Sequence, residues 1–252
     1  MANETAGKNN RVYIHEFIDI IGHNRANYMH HMVANWSPEA QEQRQQLCYG
    51  VWAVLGSTGR WPEVVNIWEH DSWDGLATSF AVEAVGKGAQ DPTLEAWWAK
   101  AAEFRRGGVD RILEPAPWTR TITELCEAGV RGECYAHEQV VVRNGAADEF
   151  LGRVREQAMA LAARYDWELA GAWKTAMVDD DECILLWAIP TWKQWAAFEK
   201  AHAADPDVRA WRATVRDVVE SWQRIVLVDA PLSPFRTGRQ PSRADRTTAD
   251  TT

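Results

Sequence analysis

The sequence predicts an α+β protein in which one β-α-β-β-α-β unit occurs twice in tandem. Three observations predict it. Val12-Tyr13-Ile14-His15-Glu16 returns as Cys134-Tyr135-Ala136-His137-Glu138, with Tyr-x-His-Glu in both copies. Ile67-Trp68 followed by Trp73 is matched by Leu186-Trp187 followed by Trp192. Asp91-Pro92 followed by Trp97 is matched by Asp205-Pro206 followed by Trp211, and Arg111-Ile112 by Arg224-Ile225. The matches keep the same order in both halves, which is the mark of an internal repeat.

The elements follow in order. A polar stretch, 1–10, precedes the first repeat, 11–127. Its first strand is Arg11 to Ile20, matched by Glu133 to Val142 in the second repeat, 131–231. The first helix starts near Asn24, or near Asp148 in the second copy. Asn35-Trp36-Ser37-Pro38 should kink or split the first of these, because Ser37 suits a cap and Pro38 a first helical turn. Trp52 and Trp173 mark the second strands, and Val64 to His70 and Cys183 to Ile189 the third. Ser72 and Thr191 sit at matching helix starts, and Asp91-Pro92 and Asp205-Pro206 cap a further helix in each copy. Val208, Trp211, Val215, Val218, Val219 and Trp222 form one apolar helical stripe. The fourth strands lie near Arg111 to Leu113 and Arg224 to Val228. From Leu232 onward large apolar residues nearly vanish, so 232–252 is expected to be disordered.

The β-α-β-β-α-β order is the ferredoxin-like motif. The chain resembles the NIPSNAP-type members of the dimeric α/β-barrel superfamily. The likeness rests on the strand Val12-Tyr13-Ile14-His15-Glu16-Phe17, Gly22, the region of Tyr28, Trp68 and the helix from Trp73. His15-Glu16 stands where such members usually carry the centre of a Tyr-x-x-Arg-x-Tyr-like strand. The resemblance implies that the two ferredoxin-like repeats close into one intrachain, pseudo-dimeric α/β barrel.

Composition narrows the function. Fifteen Trp against six Phe and five Tyr supply many flat surfaces, for core packing or for a pocket that takes an apolar ligand. A net charge of −9 leaves no basic face for nucleic acid. No apolar run reaches the length of a membrane span. Cys48, Cys126, Cys134 and Cys183 show no CxxC spacing and read as free thiols of a cytoplasmic protein. A homodimer is compatible with the fold.

Strand alternation assigns faces. Val12, Ile14, Ile18 and Ile20 should meet the helices, and Tyr13, His15, Phe17 and Asp19 should point into the barrel. On the third strand Val65 and Ile67 are assigned to the helices, and Asn66, Trp68 and His70 to the interior. In the second copy Ile184, Leu186 and Ala188 are assigned to the helices, and Cys183, Leu185 and Trp187 to the interior. Asn66 and His70 have no polar counterparts there, and five of the seven histidines lie between residues 15 and 70. One working pocket in the N-terminal repeat is therefore expected, with the C-terminal repeat mainly structural.

The leading expectation is a cofactor-independent enzyme acting on an apolar, aromatic or polycyclic small molecule. Isomerisation, cyclisation, dehydration and oxygenation are the reactions that the resemblance implies. His15 would be the acid/base and His70 and Asn66 would orient an oxygen, because imidazole titrates near neutrality. Tyr13, Phe17, Tyr28, Trp52, Trp68 and Trp173 would bind the substrate. No metal is expected, for there is no HxH, HExxH or paired Cys/His spacing. Haem is the runner-up cofactor, since some barrel relatives hold it through one histidine between aromatic walls. A non-catalytic module for a hydrophobic ligand is the third reading.

Overall fold

The computed structural model describes residues 8–84, 91–177 and 181–248. The N-terminal half runs β1 (Val12–Ile20), α1 (Arg25–His30), a π-helical turn (His31–Trp36), α2 (Ser37–Arg44), β2 (Leu47–Val54), β3 (Glu63–His70), α3 (Trp73–Glu83), α4 (Pro92–Ala102) and β4 (Arg105–Pro115). A short helix, α5 (Ile122–Glu127), leads to the second half. That half runs β5 (Cys134–Val142), α6 (Ala147–Arg153), a second π-helical turn (Val154–Ala158), α7 (Met159–Ala163), β6 (Glu168–Thr175), β7 (Glu182–Ile189), α8 (Trp192–Ala204), α9 (Pro206–Val215) and β8 (Val219–Asp229). α10 (Pro234–Thr237) and a 3-10 turn (Arg243–Thr248) follow.

The eight strands close into one barrel in the order β1-β3-β2-β8-β5-β7-β6-β4. Each half supplies four neighbouring antiparallel strands, and two short seams join them. β2 meets β8 through Trp52–Asp229, Ala53–Val228 and Val54–Leu227. β4 meets β6 through Leu113–Thr175, Glu114–Lys174 and Pro115–Trp173. The expected α+β barrel is therefore present, with helices on its outside.

Local chemistry explains the element ends. Ser72 and Thr191 accept hydrogen bonds from the Gly75 and Gln194 amides, and Asp205 accepts one from Asp207. The helix expected to kink or split at Asn35-Trp36-Ser37-Pro38 is divided there into α1, the π-helical turn and α2. Pro38 has no N–H to give, and the turn before it widens so that the Ser37 amide reaches the Met32 carbonyl. The second half makes the same widening without a proline. α5, not anticipated, is announced by Thr121-x-x-Glu124, whose two side chains form a reciprocal capping box.

Two face assignments need correction. Directly opposed residues of a sheet share a face. β1 pairs with β3 as His15–Ile67, Glu16–Asn66 and Ile14–Trp68. Ile67 and Val65 therefore point inward with His15, while Asn66, Trp68 and His70 lie beneath the helices. In β7, Ile184, Leu186 and Ala188 fill the barrel, and Cys183, Leu185 and Trp187 pack under the helices. Both strands are buried on both faces, β3 along its whole length, so polarity gave no phase to their alternation. Tyr13, His15 and Phe17 do face inward, as do Trp52 and Trp173.

The expected disorder after Leu232 is also corrected up to residue 248. Phe235 is buried against Tyr49, Trp52 and Tyr135 at one end of the barrel. Arg236 pairs with Asp229, Gln240 bridges the backbone N–H and C=O of Cys48, and Arg243 and Arg246 reach Glu39. Four specific anchors replace the missing apolar residues. Residues 249–252 and 1–7 lie outside the described residues, while Asn9 is buried and donates to the Tyr13 hydroxyl and the Thr119 carbonyl.

Barrel packing depends on two glycines. At Gly50 and Gly171 the strands shift register, and Trp52 and Trp173 fold back over them. A Cβ on Gly50 would lie 2.2 Å from the Trp52 ring, and one on Gly171 1.9 Å from the Trp173 ring. Both rings are boxed in by other aromatic side chains. Gly50→Ala is therefore expected to destabilise the protein by about 1–3 kcal/mol through overpacking, read from urea denaturation.

Candidate functional site

The outer face of the N-terminal sheet does not meet its helices everywhere. A cavity of about 560 Å³ remains between Ile14, Glu16 and Trp68 of the sheet, Asp110 and Ile112 of β4, and the helices above. Met32 and Trp36 of the π-helical turn, Arg44 of α2, Ser79, Phe80 and Glu83 of α3 and Trp98 of α4 form the roof. The β6–β7 hairpin of the other half closes one side with Thr175, Ala176, Met177, Asp181 and Glu182. The matching region of the C-terminal half is divided into a space of about 30 Å³ beneath the helices, lined by Leu161, Trp167, Phe198, Trp211 and Trp222, and one of about 500 Å³ beside Thr58, Glu199, His202 and Arg224.

Glu16 is the polar centre of the N-terminal cavity. Its Oε2 accepts from Asn66 Nδ2 at 2.9 Å and from Trp68 Nε1 at 2.7 Å. Asn66 also donates to the Tyr28 hydroxyl at 2.9 Å, which fixes the amide from behind. Glu16 Oε1 accepts no hydrogen bond and is not sealed from the cavity that the residue lines. The residue is 8% exposed. Burial first, and then the charge of Asp110, raise its carboxyl above the usual range, against the lowering effect of the two hydrogen bonds. Asp110, opposite Glu16 on β4, is raised too, chiefly by burial.

The C-terminal half treats the equivalent carboxylate differently. Glu138 also accepts from a tryptophan, Trp187, at 3.2 Å. The residue paired with it across the strands is Arg224, whose Nε donates to Glu138 at 2.6 Å while Nη1 reaches Glu199 at 3.0 Å. The register thus makes Asp110, not Arg111, the counterpart of Arg224 and corrects the sequence match by one residue. A cation that neutralises the carboxylate in one half is replaced by a second acid in the other. Around the open cavity Arg44 is engaged by Glu83 at 3.1 Å and Arg111 by Glu182 at 2.7 Å.

The histidines lie elsewhere. His15 and His137 meet in the barrel centre, Nε2 to Nε2 at 2.8 Å, one donating and the other accepting. Burial holds both in the neutral form: His15 falls well below the usual imidazole range, and His137 to about 3. Phe17 packs edge-on against both rings. His70 is buried on the outer face, lowered to about 4 by burial and by Arg44, and does not line the cavity. Tyr13 donates to Glu69 inside the barrel at 2.9 Å. Trp52 and Trp173 fill the barrel core. Of the residues singled out from sequence, Trp68 lines the cavity, and Asn66 and Tyr28 stand directly behind Glu16. Glu16, Asp110, Arg44 and Arg111 were missed as site residues. The signal available for Glu16 was its place in the repeated Tyr-x-His-Glu, one position from the residue chosen.

Among the described residues no group of three or more His, Cys, Asp or Glu is placed to hold a metal ion, and no helix is long and apolar enough to cross a membrane. The lining of the N-terminal cavity carries no histidine, cysteine or tyrosine, which are three of the side chains that serve as axial ligands of haem iron.

No protein-family model matches the chain, and no curated protein matches it. Solved structures do. An anthrone oxidase-like protein is similar over 95% of this chain and 96% of its own, with a TM-score of 0.63 and 14% identity. A candidate monooxygenase from Lactobacillus acidophilus is similar over 93% and 97%, with a TM-score of 0.58 and 10% identity. A mutant chlorite dismutase from Candidatus Nitrospira defluvii, in complex with cyanide, covers 91% and 94% at a TM-score of 0.51 and 10% identity. At such identities the shared property is the fold, the dimeric α/β barrel.

Two measurements test the electrostatic contrast. The folded chain holds the Glu16 proton more tightly than the unfolded chain does, so ionised Glu16 costs stability at neutral pH and that cost fades as pH falls through the raised value. Glu16→Gln should melt above the parent at neutral pH, with the gap narrowing as the solution is acidified. Arg224→Met keeps the packing stem but strands Glu138, and should cost about 3 kcal/mol in urea denaturation.

Proposed function

We propose that the protein is a cofactor-independent enzyme that takes a ring-bearing hydrophobic small molecule into the N-terminal cavity and moves a proton with Glu16. The observation that carries this reading is the free Oε1 of Glu16, open to an aromatic-walled cavity while Oε2 is fixed by Asn66 and Trp68. A carboxyl raised by burial is a stronger base than an exposed one. Asp110 stands beside it as the second carboxyl, so the pair can hold one proton between them. Trp36, Trp68, Trp98 and Phe80 supply flat walls for a ring.

Glu16 would take a proton from an acidic carbon or a phenolic oxygen of the substrate. The electron-rich anion so formed is the common start of isomerisation, cyclisation, dehydration and direct reaction with dioxygen. The fold shared with an anthrone oxidase-like protein and a candidate monooxygenase favours the last of these. The chain reads as a fused pseudo-dimer in which Glu16 opens onto one continuous cavity, while Arg224 stands at the corresponding place in the other half. Acid/base work passes from His15 and His70, the expected pair, to Glu16, because neither imidazole reaches the cavity.

Haem is the second reading, favoured by the fold shared with a chlorite dismutase. Against it, the lining offers no histidine, cysteine or tyrosine as an axial ligand, only the thioethers of Met32 and Met177. An absorption spectrum of the purified protein distinguishes the two, since a Soret band would establish haem. Turnover is tested on a panel of phenols and acidic-carbon aromatics, followed by oxygen consumption and product mass. Glu16→Gln should lower the rate by about 10²–10⁴-fold. Full activity in Glu16→Gln with loss in His70→Gln would return the chemistry to histidine.

A further inference from the structure

We propose that the ligand of the N-terminal cavity carries a cationic nitrogen, an ammonium or amidinium on an aromatic ring system, which sits against Glu16 and Asp110 where Arg224 sits against Glu138. This assignment rests on the cavity being the substrate site. It adds what the substrate must be.

The argument begins with charge. Glu16, Glu83, Asp110, Asp181 and Glu182 line the cavity against Arg44 and Arg111. Arg44 pairs with Glu83 and Arg111 with Glu182, while Arg44 Nε and Nη2 and Arg111 Nη1 have no hydrogen-bond partner among the described residues. Arg105, the next cation, stacks 4.1 Å over the Trp98 ring; its charge lowers both Glu16 and Asp110, but it makes no ion pair among the described residues. Glu16 and Asp110 are left facing each other across adjacent strands with no guanidinium between them. Glu16 is more than nine-tenths buried, and its Oε1 is unpartnered at the cavity wall. Such an oxygen, on a side chain otherwise buried, is open to a donor that enters the cavity.

The other half shows what that donor looks like. There the Arg224 guanidinium donates to Glu138 at 2.6 Å and lies 5.4 Å from the Trp167 ring centre and 5.2 Å from that of Phe198. A flat cation between a buried glutamate and aromatic faces is thus an arrangement the fold already builds. In the N-terminal half Asp110 stands at that register position, the glutamate and the tryptophan remain, and about 560 Å³ is open. The geometry calls for a cation from outside, with a ring system to cover Trp36, Trp68 and Trp98. A metal ion would leave those walls uncovered.

Three matched probes test this: 1-naphthylmethylammonium, neutral 1-naphthylmethanol and anionic 1-naphthoate, titrated calorimetrically into the full chain at neutral pH. The ammonium should bind roughly tenfold or more tightly than the alcohol, as one charge-assisted hydrogen bond implies, and the carboxylate weakest. Asp110→Asn should shrink the preference, and Asp110→Arg, which imports the residue of the other half, should abolish ammonium binding. If Asp110→Arg does not fold, Asp110→Asn decides. Naphthoate binding as tightly as the ammonium, or an Asp110→Asn variant with the preference intact, would overturn the cationic assignment. Equal binding of all three that is lost in the cavity-filling variant Ile112→Trp would overturn the charge assignment and leave the cavity as the binding site. Ammonium binding unaffected by Ile112→Trp, or no binding of any probe, would overturn both.

Discussion

A buried carboxylate has to be answered by something, and this structure answers the same one in two ways. The repeated Tyr-x-His-Glu strand puts its histidine inside the barrel and its glutamate outside, beneath the helices. In β5 the answer to Glu138 is Arg224, and the helices then close down on a filled, aromatic interior. In β1 the answer to Glu16 is two neutral donors, Asn66 and Trp68, with Asp110 in the arginine's place. The helices stand off, and a cavity follows. One charge difference on one strand pair thus distinguishes the surroundings of the two glutamates.

The two histidines of the repeat are part of the scaffold. Their Nε2 contact joins the two halves at the barrel centre, and burial keeps both uncharged. Around them Tyr13, Tyr49, Trp52, Tyr135 and Trp173 pack edge-to-face, with Gly50 and Gly171 left bare so that two tryptophan rings can fold back. Much of the tryptophan content is spent on this interior and on filling the C-terminal helices' underside. Only a few rings remain to line the cavity, and these are Trp36, Trp68 and Trp98.

Much of this was legible in the sequence. The order of elements, the caps at Ser72, Thr191 and Asp205 and the inward Trp52 and Trp173 follow from spacing and propensity. The phase of β3 and β7 did not, because a strand buried on both faces offers no polar side to count from. That slip put Asn66, Trp68 and His70 on the wrong side of the sheet and drew attention to His15 instead of its neighbour Glu16. The tail after Leu232 was misjudged for another reason. Its order comes from Phe235 and a few charged anchors at distant positions, which composition does not register. The pairing of Arg224 with Glu138, and its absence opposite Glu16, needed the strand register.

The central claim is that Glu16 is a carboxyl held in an unusual state by its surroundings. The most direct test is to label the glutamate side chains with carbon-13, identify the Glu16 carboxyl signal by its loss in Glu16→Gln, and follow it by NMR as pH is varied. The account predicts that Glu16 takes up its proton above the range of exposed glutamates. A Glu16 signal that titrates within or below that range would contradict it.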